Sequence, residues 1–164
     1  MLKSSSFKHV KQNVKKQYPY GAKDLIMLVA GTGVSPMIQA LHAVLGNPAD
    51  NTRVTLLYGS KSQDDILARK LLDTWHKQYP QLRLIHTLSQ EPSDSGWDGE
   101  RGRVNRKLIE KIGGVPDAAV GSNVLFFVCG PPQMYIDLCG ERGTPEISGA
   151  LCDMGYDSSQ VVKF

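Results

Sequence analysis

The feature that most constrains this chain is an unbroken apolar run, Leu-Ile-Met-Leu-Val-Ala, that follows Asp24 and ends on Gly31-Thr32-Gly33. A run that short, without polar alternation, reads as a central strand buried on both faces. Apolar residues at helical spacing follow at once: Met37, Ile38, Ala40, Leu41, Val44 and Leu45. Ser35 is the expected N-cap, Pro36 falls in the first turn, and Gly46-Asn47-Pro48 stops the helix. A doubly buried strand feeding straight into an amphipathic helix is the opening of a strand-helix-strand crossover.

The pattern recurs down the chain. Strands are expected over 53–58, 82–88, 123–128 and 161–164, and helices over 64–79, 104–112, from Pro131-Pro132 onward, and over 145–154. This alternation predicts an α/β fold, a doubly wound and roughly five-stranded parallel sheet with right-handed crossovers. At 164 residues and 41% hydrophobic content there is room for one domain with a core, and too little for two catalytic domains. That domain is expected over 21–164, after a polar, lysine-rich lead-in over 1–20.

Several function classes fall away. The net charge of +3 is modest, and the only basic cluster, Lys8, Lys11, Lys15 and Lys16, reads as solvated surface, so no nucleic-acid partner is expected. No run is long and apolar enough to cross a bilayer, and Met-Leu-Lys followed by serines has no signal core. Three cysteines without a C-x-x-C spacing argue against a disulfide scaffold and for a reducing compartment. His9, His42, His76 and His86 lack zinc-ligand spacing. No tyrosine has a lysine four residues on, as a short-chain dehydrogenase requires, and there is neither a Gly-x-Ser-x-Gly elbow nor a Walker A loop.

In a doubly wound sheet the ligand lies at the carboxyl ends of the strands, which directs attention to 31–36, 59–65, 89–103 and 129–134. In the first segment Gly31 and Gly33 let the backbone approach a ligand while free helix amides face an anion such as pyrophosphate. The usual dinucleotide fingerprint would have a third glycine where Pro36 stands and an acid where Gly59-Ser60 stands, so an ordinary dehydrogenase is disfavoured. In the last segment, Cys129-Gly130-Pro131-Pro132-Gln133-Met134 follows the strand expected beside the first, which opens its thiol onto the same crevice. The 89–103 loop is long for such a unit and rich in Gly, Pro, Ser and Asp, hence a candidate for ligand contact.

The pairing of G-T-G-x-[ST]-P-M after the first strand with C-G-P-P-x-M after a later one resembles the nicotinamide domain of the ferredoxin reductase superfamily, and most closely the cytochrome b5 reductase family. Asp65-Ile66-Leu67-x-Arg69, Trp97-x-Gly99-x-x-Gly102 and the terminal Val-Val-Lys-Phe164 are similar to that family in the same order, so the resemblance covers essentially the whole chain. It implies that Gly31, Thr32 and Gly33, with Pro36 behind them, hold the pyrophosphate and reach toward a flavin edge. It implies likewise that Gly59, Ser60, Lys61 and Asp65 line the adenosine half, and that Cys129, Gly130, Pro131, Pro132 and Met134 cover the nicotinamide. The implied chemistry is hydride transfer from NADH or NADPH to FAD, then single electrons to cytochrome b5 or another acceptor. Cys129 positions the ring in that scheme and is not a nucleophile.

The chain also departs from that pattern. An acid that repels a 2′-phosphate is expected after the third strand, where Ser89 stands, and an aromatic after Gly102, where Arg103 stands. Both changes favour phosphate, because a guanidinium binds it in a bidentate way. The flavin barrel with its Arg-x-Tyr-[ST]-x-x-[ST] signature has no counterpart, and 1–20 reads as its last segment or a linker from it. The fragment alone is therefore expected to be inactive. In the intact protein the resemblance implies a cytoplasmic-face enzyme, anchored at the endoplasmic reticulum or mitochondrial outer membrane through a region upstream. The alternative is a stand-alone nucleotide-binding module without redox activity.

Overall fold

The computed structural model describes residues 22–112 and 123–164; the expected linker or barrel segment over 1–20 lies outside them. In chain order the elements are β1 (Asp24–Ala30), α1 (Val34–Leu45), β2 (Arg53–Ser60), α2 (Arg69–Gln78), β3 (Leu82–Leu88), β4 (Glu100–Arg101), α3 (Arg106–Ile112), β5 (Val124–Cys129), α4 (Pro132–Leu138), α5 (Gly149–Asp153) and β6 (Val161–Lys163).

The strands form one parallel sheet in the order β4-β3-β2-β1-β5-β6. From β1 the chain winds outward on one side through β2, β3 and β4, then crosses back to place β5 and β6 on the other side. Strand order thus reverses between β1 and β5, where loops leave in opposite directions and open a crevice. The register aligns Ala30 with Gly59 across β2 and Val29 with Cys129 across β5, so all the expected segments emerge at one edge.

The apolar run of β1 is buried on both sides, as its composition requires: Met27, Leu28 and Val29 are fully inaccessible. Met27 and Val29 face one core with Leu41 of α1, Leu72 of α2, Leu56 and Tyr58. Ile26 and Leu28 face the other, with Ile109 of α3, Leu138 of α4, Leu151 and Phe126. At about 1.5–3 kcal/mol for each large apolar side chain, these two layers hold the sheet and fix its carboxyl edge.

The roughly five-stranded parallel sheet expected from sequence is present, with one more short edge strand, β4, inside the 89–103 loop, which pairs Thr87 with Glu100 and Leu88 with Arg101. Three other expectations need correction. Ser35 is not the N-cap: Gly31–Gly33 forms a 3-10 turn that runs into α1, and Gly33 caps the helix without any side-chain hydrogen bond. The helix expected over 64–79 is split into a 3-10 turn, Gln63–Asp65, and α2, because Asp65 folds back onto Ser62 and Ala68 turns left-handed at φ 56°. The one expected over 145–154 shrinks to α5, since Gly149 at φ 70° starts it against the carbonyls of Ile136 and Asp137.

Candidate functional site

Two turns meet at the point where strand order reverses. A Cβ built on Gly33 would lie 2.3 Å from the Cys129 carbonyl oxygen and 2.7 Å from its carbon, so only glycine lets the first turn rest on the end of β5. Gly31, at φ +55°, needs glycine for a different reason: its left-handed backbone disfavours a side chain although the space beside it is empty. No side chain caps the start of α1, and its first amide, Val34 N–H, donates to the carbonyls of Gly31 and Thr32 in the 3-10 turn. Pro36 sits in the first turn of α1, where its missing N–H leaves no helical bond unmade.

Two buried tyrosines brace this junction from opposite sides. On the β2 side the fully buried Tyr58 donates its hydroxyl hydrogen bond to Gly31 O (3.2 Å) and accepts one from Leu67 N (3.1 Å). Burial pushes its pKa above the ordinary tyrosine value. On the β5 side Tyr135 accepts from Gly130 N (3.4 Å) and donates to Phe164 O (2.6 Å). Burial first, and the neighbouring Cys129 thiol second, push Tyr135 up to about 12. Phe164 is drawn in further by its N–H to Val128 O (3.1 Å) and by an edge contact with Phe127 at 5.0 Å. The last residue of the chain is thereby fixed beside Cys129, which is half-buried.

Pro131 is extended and Pro132 opens α4, so the prolines make the sharp exit that keeps the 129–134 turn over the crevice. Met134 is buried with its sulfur against Gly130, where an added Cβ would come within 2.5 Å.

The second group of expected residues lies across the ends of β2, β3 and β4. Ser89 N bonds Ser60 O (3.0 Å), Gln90 N bonds Lys61 O (2.8 Å), and Gly102 N bonds Leu88 O (2.8 Å), so three loops leave side by side. Ser89 Oγ also donates to Ser60 O at 3.4 Å. Gly59 again permits close approach: its Cβ would meet Val104 Cγ2 at 3.2 Å, which brings the 103–104 segment over the end of β2. Ser60 Oγ is buried and has no hydrogen-bond partner among the described residues.

Asp65 does not join this group. Its carboxylate accepts from Ser62 N (3.1 Å) and Ser62 Oγ (2.7 Å), a capping box that closes its own loop. The structure adds Glu91, whose carboxylate receives Gln63 N (2.9 Å) and Gln63 Nε2 (2.8 Å), ties the loops after β2 and β3 together, and is held below its ordinary pKa chiefly by those hydrogen bonds. Arg101 fixes the same loop through the carbonyls of Glu91, Pro92 and Trp97. No cluster of His, Cys, Asp and Glu that could hold a metal occurs among the described residues.

A family model described as the oxidoreductase NAD-binding domain matches residues 27–140, which include both junction turns. The chain belongs to that family. The domain resembles the corresponding part of NADH-cytochrome b5 reductases. It is 38% identical over 146 residues to NADH-cytochrome b5 reductase 2 of Yarrowia lipolytica, covering 87% of this chain and 49% of that protein. It is also 38% identical over 156 residues to the protein of the same name from Botryotinia fuckeliana, covering 90% of this chain and 44% of the relative. The chain thus spans about half the length of the curated relatives it matches. The structure of the cytochrome b5 reductase domain of Ulva prolifera nitrate reductase superposes with a TM-score of 0.72 at 27% identity, over 88% of this chain and 50% of that one. The doubly wound fold and the ferredoxin-reductase likeness anticipated from sequence hold.

The sequence did not point to Tyr58, Tyr135 or Glu91. The two tyrosines stood within or beside apolar runs and passed for core, and Glu91 stood in a loop whose partner, Gln63, lies in the turn after another strand. The only available signal was a hydroxyl in an otherwise apolar stretch, which must find a partner once buried.

Proposed function

We propose that this chain is the nucleotide-holding half of a flavin oxidoreductase that takes a hydride from NADH or NADPH to FAD and passes single electrons to cytochrome b5 or a similar acceptor. The observation that carries the reading is the contact of Gly33 on Cys129, which fuses an anion-binding turn and a ring-covering turn into one crevice wall at the reversal of strand order.

A dinucleotide fits the residues present. The empty space beside Gly31 leaves room for a phosphate at the turn into α1, where no side chain caps the helix, and the unpartnered Ser60 Oγ suits a ribose or base edge. When bound, the nicotinamide and flavin supply the hydride chemistry. The chain's own residues bind and orient. Gly31, Thr32 and Gly33 receive the pyrophosphate, while Gly59, Ser60, Lys61, Ser89 and Arg103 border the adenosine. Gly130, Pro131, Pro132 and Met134 form the cover on the nicotinamide side. Cys129 packs against the ring and keeps water from it, with Tyr135 holding its turn in place. Asp65 shapes the adenosine loop through Ser62 and touches no ligand. Orientation of this kind contributes through proximity, with no proton moved by the protein.

The FAD barrel, the acceptor and attachment at the cytoplasmic face of a membrane belong to the intact protein in this reading. No helix among the described residues is long and apolar enough to span a bilayer. Calorimetric titration with NADH and NADPH tests the binding half: saturable binding of at least one, weakened by Gly33→Ala, supports it, and binding of neither overturns it. A purified chain that carries flavin and reduces an artificial acceptor would overturn the assignment of FAD to a separate domain.

A further inference from the structure

Lys163 of β6 pairs with Val128, the residue before Cys129. Its ammonium gathers three backbone carbonyls from a single loop: Glu146 O at 2.8 Å, Glu141 O at 3.0 Å and Thr144 O at 3.2 Å. An ammonium has three protons and accepts nothing, so these bonds use its full donor capacity. Thr144 Oγ1 stands 3.4 Å from it as well. Thr144 folds back on Glu141 O through both its N–H (3.4 Å) and its Oγ1 (2.9 Å), and Gly143 at φ 94° makes the left-handed turn between them. Residues 141–146 are exposed and belong to no helix or strand. Three carbonyl dipoles aimed at one point repel one another unless a cation stands there, so the ammonium organises the loop.

The other end of this bridge is the crevice wall. Phe164, next to the lysine, donates its N–H to Val128 O (3.1 Å) and accepts the Tyr135 hydroxyl (2.6 Å). That hydroxyl accepts in turn from Gly130 N (3.4 Å). Cys129 lies between the two residues so held. A second link runs directly from the loop to the tyrosine: the Arg142 guanidinium bears on the Tyr135 hydroxyl and opposes the pKa rise that burial imposes. Contacts therefore run without a gap from 141–146 through Lys163 and Phe164 to Tyr135 and the turn after β5.

We propose that Lys163 is a positioning residue for the ring-covering turn: its ammonium staples β6 to the 141–146 loop, and the staple keeps Phe164 and Tyr135 seated against Gly130 and Cys129. The inference rests on the nucleotide-binding reading above and adds to it a residue that touches no ligand. With the ammonium removed, the three carbonyls turn to water, the loop and Phe164 loosen together, and Cys129 opens to solvent before the sheet does.

The test compares the full native chain with Lys163→Met, Lys163→Arg and a double variant carrying Glu141→Ala and Glu146→Ala. Iodoacetamide alkylation of each cysteine is followed by mass spectrometry, and NAD+ and ADP-ribose are titrated calorimetrically. Methionine keeps most of the lysine stem and removes the charge. Lys163→Met should raise the alkylation rate of Cys129 by ~5-fold or more, with the exposed Cys152 as an unchanged reference. It should weaken NAD+ several-fold and ADP-ribose, which lacks the nicotinamide, far less. Lys163→Arg still brings charge and donors to the loop and should restore both readouts. The double variant leaves the carbonyls in place and should match the native chain. Cys129 alkylated no faster in Lys163→Met, or as fast in the double variant, would overturn the carbonyl staple while NAD+ binding kept the nucleotide reading. Equal loss of NAD+ and ADP-ribose would mark a general loosening and overturn the positioning role. Binding of neither by the native chain would overturn the nucleotide reading, and the alkylation rates alone would then decide the staple.

Discussion

Replacing Gly33 by alanine separates a packing requirement from a conformational one. The new Cβ would stand 2.3 Å from Cys129 O, and real Cβ contacts are essentially never below 3.0 Å, so the turn and the end of β5 must part by about 0.7 Å or more. Neither side yields easily. The first turn is pinned through Gly31 by Tyr58, and Cys129 is the last residue of a strand in register with Val29. Overpacking costs about 1–3 kcal/mol, and obstruction by backbone instead of a flexible side chain places this case near the upper end, about 3 kcal/mol. For a domain of this size that lowers Tm by roughly 6–12 °C, and the same separation widens the nucleotide crevice at its joint. Gly31→Ala is the matched comparison. It meets no atom within 4 Å and loses only the left-handed preference, about 1–2 kcal/mol. Thermal melts and NAD+ titration of the two variants should rank Gly33→Ala as the more damaging in both respects. A Gly33→Ala protein that melts within about 2 °C of the native chain, or binds NAD+ better than Gly31→Ala does, would refute the contact between the turns.

Tyr58→Phe strands Gly31 O and Leu67 N, and should cost about 1–2 kcal/mol in denaturant titrations while weakening nucleotide binding; unchanged binding would show that the clamp does not hold the turn. Tyr135→Phe releases the Phe164 carbonyl, so amide exchange should rise in β6 and at Phe164 with β1 unaffected, and uniform exchange across the sheet would refute a local role. In the native chain, absorbance titration should find Tyr135 still protonated well above pH 10, and stability should fall as pH rises from about 10 to 12, because the unfolded tyrosine ionises first. His86 has the opposite signature. Burial lowers its pKa against the pull of Asp73, and neither ring nitrogen has a hydrogen-bond partner among the described residues. As pH falls through about 6.5 the unfolded chain takes up a proton that the fold resists, so stability drops below that point. His86→Phe should flatten this acid limb with little loss at neutral pH, and an unaltered limb would place the titration on another group.

The parts of the fold legible in sequence were those that the chain dictates locally. β1 and β3 match their expected bounds because Leu25 to Ala30 and Leu82 to Leu88 are set off by polar or turn-forming neighbours, and a buried strand admits little else. The start of α1 was misplaced at Ser35 because cap preferences describe helices ended by a side chain, whereas here Gly31–Gly33 carries the chain into the helix by a 3-10 turn. The break before α2 was hidden for a related reason. Ala68 has the strongest helical propensity of any residue type, yet it sits at φ 56° because Leu67 N is committed to Tyr58 and Asp65 to Ser62. Tertiary partners overrode a local preference in both cases. β4, at two residues, carries too little pattern to be read at all.

The site divides along the same line. Gly31, Gly33 and Gly130 of the 129–134 turn were legible because a left-handed backbone, at Gly31, or a close approach, at the other two, calls for glycine at the position itself. The bracing hydroxyls were not, because a hydroxyl's partner is set by topology: Tyr58 reaches back 27 residues to Gly31, and Tyr135 reaches 29 forward to Phe164. Such reach becomes predictable once the strand order is known. With β1 between β2 and β5, a buried tyrosine near the carboxyl end of β2 has the first turn as its nearest source of unpaired backbone. One in the first turns of α4 has the ends of β5 and β6. The motif turns therefore identify the domain, but the junction they form is held by two residues that no motif contains, and substitution of those two should loosen the turns they brace.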